Sequence, residues 1–143
     1  ASYSDAFADV LVRVMRDEPL GAALEAAAEA ADDLISADLK LALSTKDTNA
    51  TDFAGLMGRA CHLPTAGPIM FYILKHSGSY RDAVEQNILA GGDSAGRSIL
   101  IGAIMARVHG IATKTGIPLS WVLQLDDGHS IWTECKVFSE PGS

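Results

Sequence analysis

The sequence predicts an all-α protein, a multi-helix array. Three observations carry that prediction. Apolar residues recur mostly at helical spacing. Alanine is abundant while aromatics make up only 6% of the chain, which suits closely packed helices. Proline, glycine and Ser/Asp cap residues punctuate the apolar runs where helices start and stop. With 143 residues and 48% hydrophobic content, the chain is about one domain long and able to bury a single core.

The elements follow in order. Over residues 4–17, Phe7, Val10, Leu11 and Val14 recur at i, i+3, i+4 and i+7, with Asp9, Arg13 and Arg16 elsewhere on the wheel. Ser4 is the expected cap, and Pro19 ends this helix and suits the first turn of the next. The Ala/Glu run from Leu20 to about Ala31 has high helix propensity. Asp32 and Asp33 restart a helix through Ile35, Leu39, Leu41, Ala42 and Leu43. The polar stretch 44–52 reads as a loop, with Thr51 or Asp52 capping a short helix over Phe53 to Met57. Ile69 to Leu74 is apolar on every side, which marks a buried helix, with Pro64 and Pro68 at its start or first turn and Gly78 as its stop. Ser79 caps a helix whose apolar face is Tyr80, Ala83, Val84 and Ile88.

That helix runs into Gly91-Gly92-Asp93-Ser94-Ala95-Gly96-Arg97, and Ser98 to His109 is then almost entirely apolar, a central core helix ended by Gly110. Ile117-Pro118-Leu119-Ser120-Trp121 opens a last short helix to about Leu125. Beyond Gly128, Ile131, Thr133, Cys135 and Val137 alternate with Trp132, Glu134, Lys136 and Phe138, the pattern of one short strand. The expected division is therefore a helical portion over 1–127 and a C-terminal extended tail over 128–143.

Charge and composition remove several function classes. A net charge of -7 repels phosphate backbones, so no nucleic-acid partner is expected. No apolar run reaches the roughly 18 residues of a membrane span. Asp5 and Asp9 stand where a secretory leader would carry positive charge, and Cys61 and Cys135 lack a C-x-x-C spacing. A cytoplasmic chain with reduced thiols is expected.

The glycine loop carries the chemistry. Two glycines allow positive φ and close approach of a ligand to the backbone. Asp93 and Ser94 add a carboxylate and a hydroxyl at the positive end of a helix, an arrangement that serves an N-cap, a divalent cation or a phosphate. By spacing alone it reads as a helix stop followed by an Asp or Ser cap.

The order of Gly91-Gly92-Asp93-Ser94, a Gly/Ala-rich apolar helix ending in His109-Gly110, and Ile117-Pro118-x-x-Trp121 resembles the C-terminal signature of the ADP-ribosylglycohydrolase family. Cys61 to Leu74, followed by Ser79-Tyr80-x-x-Ala83-Val84, is similar to the crystallin J1 branch. The similarity spans about residues 50 to 125. It implies an all-α fold like the C-terminal half of that family. Active members hold two magnesium or manganese ions and cleave the bond joining ADP-ribose to its acceptor.

The active pattern reads G-G-D-T-D-T, in which both aspartates and the last hydroxyl residue are metal ligands. Asp93 retains the first aspartate and Ser94 stands for the following Thr, whereas Ala95 and Gly96 replace the second aspartate and the last hydroxyl. Magnesium needs oxygen ligands, and a methyl group offers none. The resemblance thus assigns Asp93 as residual metal ligand, Gly92 and Ser94 as ligand contacts, and Arg97 as an anion contact for an ADP-ribose-type ligand. It implies a degenerate domain, weak or inactive as this chain. The alternative is a non-catalytic structural protein of the crystallin J1 type. The family's T/S-D-D segment has no counterpart here, so the chain reads as a half completed by another segment or chain. Alone it should expose apolar surface on helices 65–76 and 97–109 and associate.

Other residues read more plainly. His109 suits a helix C-terminus, Cys61-His62 is a loop pair, and His76 and His129 face solvent beside glycine turns. Asp126-Asp127-Gly128 is a turn rather than a carboxylate pair. Asn87, one turn before the glycines, is either a hydrogen-bond support for the loop or a solvent-facing amide.

Overall fold

A computed structural model of the chain describes residues 2–58 and 63–139. Among these the protein is all-α: α1 (Tyr3–Met15), α2 (Leu20–Ala30), α3 (Asp33–Ser44), α4 (Ala50–Met57), α5 (Leu63–His76), α6 (Tyr80–Ala90), α7 (Ser94–His109), α8 (Leu119–Leu123) and α9 (Gly128–Ser139). The Cys61-His62 pair lies outside the described residues.

Each start has a local cause. Ser2, not Ser4, caps α1, because Ser2 and Asp5 form a reciprocal capping box, and the helix starts at Tyr3, one residue earlier than the periodicity predicts. Asn49, not Thr51 or Asp52, caps α4 by accepting from the Asp52 amide at 2.9 Å. Ser79 caps α6 through the Asp82 amide at 3.1 Å, as its position predicts.

α5 is the axis of the body. It packs against α1, α2, α3, α4, α6 and α7, and every side chain from Ile69 to Leu74 is buried. Each such large apolar side chain contributes about 1.5–3 kcal/mol on burial. Phe71 meets Phe7 of α1 edge-on at 5.0 Å, and Tyr72 stacks on Phe53 of α4 at 4.5 Å while its hydroxyl donates to the Thr48 carbonyl at 2.8 Å. The expectation that helix 65–76 exposes apolar surface is thereby corrected: neighbouring helices cover it on all sides. Pro68 lies inside α5 rather than at its start. Beside it, Gly67 opens a notch filled by the Tyr3 ring, and the Tyr3 hydroxyl donates to Asp38 of α3 at 3.0 Å.

The strand expected beyond Gly128 is also corrected. Residues 128–139 form α9, which packs on α8. An alternation a few residues long also places Ile131, Trp132 and Cys135 on one helical side, and a lone strand has no ladder partner for its backbone. Gly128 makes the α8–α9 corner possible, since a Cβ there would run into the Val122 carbonyl.

Candidate functional site

The motif loop is the corner between α6 and α7. Gly91 and Gly92 take φ of +70° and +65°, values that residues bearing a Cβ rarely adopt, and this reverses the chain within four residues. Asp93 then caps α7: its Oδ1 accepts from the Gly96 amide at 2.9 Å. A Cβ on Gly96 would run into the Asp93 carboxylate in this pose.

Beneath the corner lies a buried polar cluster. Arg97 is 4% exposed and Asn87 3% exposed. The Arg97 Nε donates to Asn87 Oδ1 at 2.8 Å, and a terminal nitrogen donates to the Asn87 carbonyl at 3.1 Å and to the Gly91 carbonyl. Asn87 Nδ2 in turn donates to the Ser94 carbonyl at 2.8 Å. A cation is thus set against the last carbonyls of α6, where the helix dipole favours positive charge. The structure places Asn87 in support of the loop and Arg97 against α6, where contact with an anion would compete with these bonds.

Alongside runs a groove of about 260 Å³ whose lining includes Tyr80, Val84, Asn87, Ile88, Ser94 and Ser98. Ser94, Ser98 and Tyr80 bring hydroxyls, the aliphatic side chains bring apolar walls, and among the described residues no charged one lines it. Gly102 leaves room there, since a Cβ at this position would come within 3.4 Å of the Tyr80 hydroxyl. Trp121 of the I-P-x-x-W run meets Tyr80 edge-on at 6.3 Å, and the Arg81 guanidinium sits 5.3 Å above its ring. Tyr80 and Ser98 are not among the sequence-predicted site residues: Tyr80 lies eleven residues before the motif, and Ser98 directly follows it on α7.

The family match completes this picture. The profile described as ADP-ribosylglycohydrolase matches residues 1–140. The chain belongs to the ADP-ribosylglycohydrolase family. The match reaches well past the motif-bearing stretch 50–125 and takes in α1 to α3, so the capping-box helix and its neighbours belong to the same ADP-ribosylglycohydrolase domain. Membership places it with a glycohydrolase-like function at family level. Neither the curated proteins nor the solved structures return a match.

The metal pair implied by the ADP-ribosylglycohydrolase family does not fit the donors at this loop. Ala95 and Gly96 bring no side-chain oxygen, and the Asp93 carboxylate is turned back on the Gly96 amide. Among the described residues no group of three or more His, Cys, Asp or Glu is disposed to hold an ion. Asp93, Gly92 and Ser94 are brought together at the corner, with Asp93 and Gly92 exposed and Ser94 half-buried. His109 contacts the Thr115 hydroxyl at 3.0 Å, and Asp126 and Asp127 are exposed turn residues away from this groove. No described helix is long and apolar enough to cross a membrane.

Proposed function

We propose that this chain is an ADP-ribosylglycohydrolase-family domain that engages an ADP-ribose-type ligand beside the α6–α7 corner and hydrolyses it weakly or not at all. The observation that carries the reading is the Asp93 carboxylate, spent on the Gly96 amide with Ala95 following it. The groove supports the ligand class: Ser94, Ser98 and Tyr80 offer hydroxyls to a sugar, and Val84 and Ile88 cover a ring face. Calorimetric titration with magnesium or manganese and ADP-ribose, beside an assay of ADP-ribose release from modified protein, tests it. ADP-ribose binding without tight two-ion binding is expected; micromolar two-metal binding with turnover overturns it.

A structural role of the crystallin J1 type is the second reading, favoured by the same capping bond. Under it, Asp93→Ala lowers stability and leaves ADP-ribose titrations unchanged because there is nothing to lose. We also propose that the domain associates, with a further segment of the family fold or with its own copy. Leu56, Ile88, Leu89 and Ile99 are each more than 60% exposed. Size-exclusion with light scattering decides this, since a strict 15.0 kDa monomer refutes self-association.

A further inference from the structure

We infer that Asp93 and Gly96 are a coupled pair that makes the α6–α7 corner hold its shape without a divalent ion. The inference rests on the family reading only for the contrast with metal-holding relatives. Its physical basis is local.

Gly96 stands in the first turn of α7, and its φ is not positive, so its backbone does not require glycine. Glycine is there the poorest helix former after proline. Its place is explained by its neighbour: the space a Cβ would take is held by the Asp93 carboxylate, with Oδ2 closest, Cγ at 3.0 Å and Oδ1 at 3.1 Å. The obstacle is the end of a rotatable side chain, so a larger residue at 96 obliges the carboxylate to leave this pose and re-form its cap in another. A residue with a Cβ here would meet the Asp93 carboxylate in its present pose. With Gly96, the carboxylate folds inward and meets an amide instead. Asn87 and Arg97 hold the other side of the same corner through the Ser94, Asn87 and Gly91 carbonyls, so an ion has no backbone to organise.

The test is a cycle of four full-length chains: the wild type, Asp93→Ala, Gly96→Ala and the double variant. Each is melted in EDTA and in magnesium at matched ionic strength. Loss of the cap in Asp93→Ala should lower Tm by roughly 3 °C. Gly96→Ala should also lower Tm, although alanine is the better helix former. In the Asp93→Ala background the same substitution should raise it. All four should melt alike with and without magnesium. If Gly96→Ala raises Tm equally in both backgrounds, the pair is uncoupled and the inference fails. If magnesium stabilises the wild type and not Asp93→Ala, Asp93 is a ligand and the inference also fails. Turnover with ions held by residues elsewhere would defeat the proposed function and leave this cycle intact.

Discussion

The Arg97 Nε donates to the Asn87 side-chain oxygen at 2.8 Å across the α6–α7 corner, and both side chains are almost wholly buried. This bond joins a residue of the motif to one a full turn before it. Around it the corner's polar groups find partners without solvent, which is the condition for burying them.

Asn87→Ala should therefore be costly. It removes the side-chain partner of the buried Arg97 Nε and one donor to the Ser94 carbonyl at once, and leaving a buried group unsatisfied costs about 1–3 kcal/mol. Urea unfolding should show that loss. Asn87→Asp should retain the bond to Arg97 and lose the donation to Ser94, giving an intermediate midpoint. A wild-type midpoint for Asn87→Ala would mean that the cluster contributes nothing.

Gly67→Ala tests the seat of α1 on α5. The added methyl collides with the Tyr3 ring, and overpacking of this kind typically costs 1–3 kcal/mol. The same substitution placed in a Tyr3→Ala chain should be close to neutral. Equal costs in both backgrounds, measured by thermal melts, would show that Tyr3 does not fill the notch.

Tyr3 also sets an alkaline limit. Burial first, and then its hydrogen bond to Asp38, raise its pKa well above the ordinary phenol value of 10.0. A raised folded pKa gives stability that is fully present below pH 10.0 and declines as pH climbs past it, because the unfolded chain releases the phenolic proton first. Unfolding midpoints of the wild type should fall above that pH. Tyr3→Phe should fall less steeply there, and parallel curves would refute the assignment.

Deleting residues 128–143 tests the C-terminal helix. The far-ultraviolet dichroism should lose helical signal, because α9 occupies most of this segment. A deletion that removes no helical signal would restore the extended tail that the alternation suggests.

These particulars show how far the sequence could be read. The i, i+3, i+4, i+7 spacing places Phe7, Val10 and Val14 inside α1, where they are buried. The Ser79 cap, the glycine stops and the all-apolar run of α5 are equally direct, since they depend on neighbours a turn away. Residues 128–138 misled because apolar residues fall on both sides of the alternation, Trp132 and Phe138 opposite Ile131 and Val137, and so short a run fits a helix as well. Arg97 was harder in another way. As a motif residue it read as an anion contact, yet Ile101 and Ile104 follow it at i+4 and i+7 on the buried side of α7. That spacing was the available signal. The groove was legible only in part, because Tyr80 and Ser98 come to line it through the packing of α6 on α7, which no local pattern encodes.

The central position of α5 has a consequence for hydrogen exchange. Its partners come from both earlier and later parts of the chain, so no fragment on either side carries a complete wall around it. The amides from Phe71 to Leu74 can then meet solvent only when helices remote in sequence leave together. They should be the slowest to exchange, with an opening free energy equal to that of global unfolding, while the corner at Gly91 and the α8–α9 hairpin exchange through smaller openings.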